Sequence, residues 1–139
     1  MKTITSFLLK FCLAATLLTV VFRYCLSYGI ENNSTMIMAL SAAFYALTMF
    51  ISGWYFGKKD GEYLPVFDIG FRFHLSTYLI HNIISGLWFA FRLNSRYEGI
   101  GTVRSTAIIW GIVLIIHSIF FLWARRNSIN SLNKEDLFD

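Results

Sequence analysis

The chain has 139 residues, 56% of them hydrophobic, 18% aromatic and only 14% charged, with a formal net charge of +4. A soluble domain of this size carries roughly a quarter charged residues, so the composition excludes an ordinary water-soluble globule. The modest positive charge calls for no nucleic-acid partner, because membrane topology and anionic headgroups use such cations.

The runs free of Asp, Glu, Lys and Arg are 11–22, 36–56, 73–91 and 105–124. Three of them approach or exceed the ~20 residues that cross a ~30 Å hydrocarbon core as a helix. The first is shorter, but 7–27 spans if Lys10 extends to one side. Four transmembrane helices are therefore expected at 6–28, 35–56, 71–92 and 105–124. The fold class that follows is an all-α polytopic integral membrane protein, its four helices forming an antiparallel bundle. It divides into an N-terminal helical hairpin (1–56), a loop (57–70), a second hairpin (71–124) and a polar tail (125–139).

In helix one, Lys2, Lys10 and the twelve-residue run 11–22 also fit a signal peptide. Arg23, Tyr24 and Cys25 follow at once without a small-residue cleavage site, so a retained helix is expected. Cys12 and Cys25 lie in the same helix, too far apart to bridge, and read as small buried hydrophobes. Gly29 is expected after helix one, with Asn33 or Ser34 capping helix two and Gly57 closing it. Pro65 interrupts the next loop, Asp68 caps helix three four residues before Arg72, and Ser105 caps helix four. Small residues mark contact faces in lipid. That rule selects Ala39, Ala42, Ala43, Ala46 and Gly53 on helix two. On helix one it selects Cys12, Ala15, Thr16 and Thr19, with Arg23 at the outer edge, and on helix four Ala107, Gly111 and Ser118.

Lys and Arg number eight on the side holding both termini and the 57–72 loop: Lys2, Lys10, Lys58, Lys59, Arg72, Arg125, Arg126 and Lys134. Four, Arg23, Arg92, Arg96 and Arg104, fall on the other. The positive-inside rule places both termini in the cytoplasm of a bacterial inner membrane.

Helix three raises the functional question. His74, Tyr78, His81, Ser85 and Trp88 fall within about 80° on a helical wheel, with Asn82 and Phe89 at their border. Leu75, Leu79, Ile83, Leu87 and Ala90 fill the opposite face, so the polar stripe must turn toward protein. Depth counted at ~1.5 Å per residue puts Tyr78 about 9 Å and His117 about 10 Å from the cytoplasmic end. The two are expected to meet, with Asn82 capping the network. Ser85 and Gly86 then lie level with Trp110 and Gly111, the two glycines allowing close approach.

"GFRFHLSTYLIHN" at 70–82 and "WGIVLIIHSIFFLW" at 110–123 resemble the bacterial two-transmembrane domain family. Its members carry a Gly-Phe-x-x-His-x-x-x-Tyr-x-x-x-Asn helix and a Trp-Gly-x-x-x-x-x-His helix. The matching residues are Gly70, Phe71, His74, Tyr78, Asn82, Trp110, Gly111 and His117, within 68–126. Family linkers are usually shorter and richer in Trp, and helices one and two lie outside the likeness. The resemblance implies that helices three and four pair, as a membrane module sometimes joined to signalling proteins such as histidine kinases. It implies no activity.

Three roles suit the stripe. The first is an interhelical lock of His74, Tyr78, His81, Asn82, Ser85 and His117, packed with Gly86, Trp110 and Gly111 and holding no cofactor or metal. The second is a haem, transition-metal or proton site, with His81 and His117 as ligands. The third is an oligomeric channel or transporter subunit. Catalysis is not expected. The eight acids, Glu31, Asp60, Glu62, Asp68, Glu98, Glu135, Asp136 and Asp139, fall in loops or the tail, so no nucleophile–base–orienter set forms in the spans. Aromatics near the span ends, Trp54, Tyr55, Trp88, Tyr97 and Trp123, suit the headgroup zone, while Trp110 sits deeper on the His117 face. The expected function is a small non-enzymatic membrane protein, an assembly or sensing module. Its partners are the bilayer and another membrane protein or a second copy.

Overall fold

The computed structural model describes residues 5–62 and 66–130, without the side chains of 66–68, 124, 125 and 127–130. Over these residues the chain is all-helical, with α1 Ser6–Glu31, α2 Thr35–Asp60, α3 Val66–Ala90 and α4 Ile100–Asn130. Three segments are long and apolar enough to cross a membrane: α1, α2 and Ile100–Trp123 of α4. Although α3 has 25 residues, it is not among them. His74, His81 and Asn82 dilute its apolar content.

Helix ends follow from local hydrogen bonding. Thr5 caps α1, its hydroxyl accepting from the Leu8 amide, and Ser34 caps α2 by accepting from Ile37. The end of α1 turns through Asn33 at φ 50°, which lets the Asn33 amide reach Ile30 O and the Ser34 amide reach Gly29 O. The end of α3 repeats the device through Arg92 at φ 59°, with Arg92 bonded to Phe89 O and Leu93 to Trp88 O. Both satisfy carbonyls that a helix terminus otherwise leaves open.

Several expected boundaries move. Gly29 lies inside α1, where its lack of a side chain admits Met38: a Cβ there would meet Met38 atoms at 3.0 Å and 3.2 Å. Gly57 lies inside α2, which continues to Asp60 because Lys58 and Lys59 suit the negative end of its dipole. Asp68 belongs to the first turn of α3 rather than its cap, and Ser105 lies inside α4. The carboxylates of Glu31 and Asp60 thus end helices rather than occupy loops. Pro65, the Asp68 side chain with its pairing to Arg72, and the 131–139 tail lie outside the described residues.

In packing, α1 lies against both α2 and α3, α3 lies against α4, and α2 touches α3 more lightly. Contacts step in opposite directions along α1 and α2: Gly29 with Met38, Thr19 with Tyr45, Phe11 with Gly53, Thr5 with Asp60. The core is Leu8, Phe11, Ala15, Ile69 and Phe73, with Phe11 and Phe73 ring centroids 4.6 Å apart. Ala15, Thr19 and Arg23 are buried as the small-residue face of α1 implies, and Gly53 is half-buried. Ala39, Ala42, Ala43 and Ala46, however, are exposed. The side of α2 that meets α1 carries Tyr45, Met49 and Phe56 instead.

Candidate functional site

Polar groups gather at three levels. The first is where the 91–99 loop closes over the end of α1. Arg23 Nη2 meets Glu98 Oε1 at 2.6 Å, the two side chains being 3% and 5% exposed. Glu98 Oε2 accepts from the Ser27 hydroxyl at 3.0 Å, and Ser27 Oγ accepts from Trp88 Nε1 at 3.1 Å. The Phe89 ring lies 5.6 Å from the guanidinium carbon. Two charges leave water here, and only close, charge-assisted bonding offsets that cost. Beside them Glu31 accepts from the Ser95 hydroxyl and pairs with Arg96 Nε at 3.0 Å.

The middle level is a chain of hydroxyls ending on a histidine. Thr19 donates to Ala15 O at 2.7 Å, Thr19 Oγ1 and Tyr45 Oη lie 3.0 Å apart, and Tyr45 Oη lies 3.3 Å from His81 Nδ1. Each hydroxyl has one proton. With the Thr19 proton on Ala15 O, the single Tyr45 proton goes either to Thr19 or to His81 Nδ1. The choice sets the His81 tautomer: Nδ1 donates in the first case and accepts in the second. Phe22 stacks on Tyr45 at 4.5 Å, and Trp110 lies 5.4 Å from the His81 ring.

The third level joins α3 to α4. His74 and His117 meet edge to face at 5.2 Å, and Phe71 stacks on Phe121 at 5.0 Å and on His117 at 6.3 Å. Tyr78 packs edge-on to Trp110 at 6.0 Å and donates to Ala107 O at 3.2 Å. Gly111 permits this approach, since a Cβ there would lie 3.1 Å from the Tyr78 oxygen.

The expected lock is thus redistributed. His117 meets His74 and Phe71 rather than Tyr78, and both imidazoles keep an exposed side. The depth count set residue 71 level with residue 124, but Phe71 lies beside Phe121, His74 beside His117 and Tyr78 beside Trp110, so those ends mark no common level. His81, not Ser85, lies beside Trp110. Ser85 is buried, with no partner for its hydroxyl among the described residues. Asn82 donates to Tyr78 O one turn back on its own helix, at 2.7 Å, and so bridges nothing. Gly86 is exposed and faces open space, so it is no contact glycine. His81 and His117 occupy different levels and do not form a two-ligand set. Among the described residues no cluster of three or more His, Cys, Asp or Glu forms.

Thr19, Tyr45, Ser27 and Glu98 are the site residues that sequence reasoning missed. Arg23 was the available signal: a guanidinium inside an apolar helix demands a carboxylate at its depth, and Glu98 is the lone acid in the 91–104 segment. Trp88, expected at a headgroup boundary, belongs to that internal network.

Comparison with protein-family models, curated proteins and solved structures gives no match. The likeness to two-transmembrane modules therefore rests on its motif residues alone.

Proposed function

We propose that the chain is a small non-enzymatic protein of the bacterial inner membrane, an antiparallel four-helix bundle with both termini cytoplasmic, that acts as an assembly or sensing module with a membrane partner. The observation carrying this reading is the exposed strip Ala39, Ala42 and Ala43 on α2, above Ala46, which lines the cavity beside α3. Small residues facing acyl chains gain little, whereas facing another helix they let backbones approach. The partner helix belongs to another membrane protein or a second copy. The carboxylates of Glu31 and Glu98 are engaged by Ser95 and Arg23, which fits a structural rather than a catalytic use, while buried Asp60 accepts from Thr5 through Oδ2 and its Oδ1 has no partner among the described residues.

A chain freed of its own cysteines and carrying Ala42→Cys tests this. In native membranes it should crosslink into a discrete adduct, while Ile83→Cys, on the outer side of α3, should not. Equal crosslinking at both positions, or none at Ala42→Cys, refutes the reading.

The chain of hydroxyls that ends on His81 Nδ1 favours a second reading, a histidine-based proton or metal site. An absorbance spectrum and metal analysis of gently solubilised protein test it. One haem or metal per chain, lost in His81→Ala, would favour this second reading.

A further inference from the structure

Two cavities on the side of α2 that faces α3 run into one another. The deeper, about 500 Å³, is bounded by Phe11, Met49, Phe73, Tyr45 and Trp110. The shallower, about 550 Å³, lies against the end of α2 and has Lys58 and Glu62 in its wall. They share Gly53, Trp54, Ile69 and Gly70. Each falls within the roughly 300–1,000 Å³ that bounded small-molecule sites occupy.

The groove has a length and a polarity. From Lys58 to Tyr45 on α2 is thirteen residues, about 20 Å at ~1.5 Å per residue. Half a bilayer, headgroups included, is about 20–22 Å. One end of the groove is charged, its length is mainly apolar with His74 and Thr77 as polar members of the wall, and Tyr45 and Trp110 line its deeper part. That is the shape of one leaflet's lipid. The glycines Gly53 and Gly70 keep the wall open: a Cβ on Gly70 would meet nothing within 4 Å. In a bilayer such a groove cannot remain empty without its lining losing dispersion contacts.

The charges select the headgroup. Among the described residues lining the groove, Lys58 and Glu62 are the charged ones. Lys59 instead lies over the Tyr55 and Phe7 rings, and Lys10 over Phe7. One ammonium beside one carboxylate complements a zwitterion: a phosphate for Lys58, an N–H donor cation for Glu62. We propose that this groove is a binding site for a single phosphoethanolamine phospholipid, one acyl chain lying along Ile69, Gly70 and Gly53 toward Tyr45 and Trp110. Phosphocholine offers no N–H to Glu62, and phosphoglycerol offers hydroxyls but no cation to balance that carboxylate. The inference rests on the membrane reading above.

The test places the full chain in nanodiscs of equal phosphatidylethanolamine, phosphatidylglycerol and phosphatidylcholine and reads retained lipid by native mass spectrometry. One phosphatidylethanolamine per chain is expected, enriched roughly tenfold over the other two. Gly70→Leu, which fills open space, should remove the bound lipid of every class. Glu62→Gln should abolish the preference for phosphatidylethanolamine over phosphatidylcholine while leaving a lipid bound, and Lys58→Gln should weaken all three. Equal retention of the three lipids, or a Gly70→Leu chain that still holds one, overturns the proposal. Cell fractionation separates the two readings. A chain found outside the membrane fraction defeats both, whereas a membrane-bound chain without lipid preference defeats this proposal alone.

Discussion

The two helix pairs are held together differently. Between α1 and α2 the joints are mixed and placed along the whole length: Thr5 donates to Asp60 at one end, Tyr45 meets Thr19 and stacks on Phe22 in the middle, and Gly29 admits Met38 at the turn. Between α3 and α4 the joints are aromatic: Phe71 with Phe121, His74 with His117, Tyr78 with Trp110. Tyr78 to Ala107 O is the hydrogen bond that crosses this second pair among the described residues. α3 is fixed to α1 by burial of Ile69 and Phe73 in the core and by the Trp88–Ser27 bond, whereas α4 rests on α3 and exposes Ile109, Ile112, Ile116, Phe120 and Trp123. Under the proposed membrane reading, apolar burial drives little association and directional bonds determine which helices stay together. The first pair and α3 should behave as one unit, and α4 as the helix most easily displaced.

The strongest way to break that contrast is at the clamp over α1. Glu98→Ala leaves the Arg23 guanidinium buried without its partner and should cost about 3–5 kcal/mol, read as loss of folded fraction in a detergent titration. Replacing both partners, Arg23→Met with Glu98→Leu, should recover most of that loss. If Glu98→Ala unfolds like wild type, the clamp contributes nothing. Gly111→Leu pushes a side chain into the Tyr78 oxygen and should cost about 1–3 kcal/mol. The damage should fall on α4: limited proteolysis should cut between residues 92 and 104 sooner, with the α1–α2 turn unaffected.

Arg92 sharpens the comparison in the opposite direction. It holds a left-handed backbone that glycine adopts without penalty, so Arg92→Gly should raise stability by up to about 1 kcal/mol. A fall would mean that the arginine side chain has a role of its own. The smallest effect belongs to Tyr78→Phe, at about 0.6 kcal/mol, the usual value of an interhelical bond in lipid.

The number of helices, their order and their approximate centres were legible because charge-free runs have the length of a helix that crosses a bilayer. The α3 stripe was legible as a stripe, since its 3.6-residue period needs no knowledge of neighbours. Its partners were not. Tyr78 and His117 were expected to meet because residues 71 and 124 were taken as a common level, whereas the helices are offset so that Phe71 lies beside Phe121, His74 beside His117 and Tyr78 beside Trp110. The alanine face of α2 misled for another reason. Small residues mark where a helix can be approached closely, and they do not say whether the approaching helix belongs to the same chain. Tyr45, the residue that does face α3, reads in sequence as one more aromatic. Arg23 was visible as an anomaly, yet only the folded 91–99 loop brings Glu98, 75 residues away, to within reach.

The account turns on α3, which is not among the three segments long and apolar enough to cross a membrane, crossing the bilayer beside the others. In a cysteine-free background, Glu62→Cys precedes α3 and Tyr97→Cys follows it, both at exposed positions. A membrane-impermeant thiol reagent applied outside intact spheroplasts should label Tyr97→Cys and spare Glu62→Cys until the cells are opened. Labelling of both from the same side would mean that α3 does not cross, and would contradict the account.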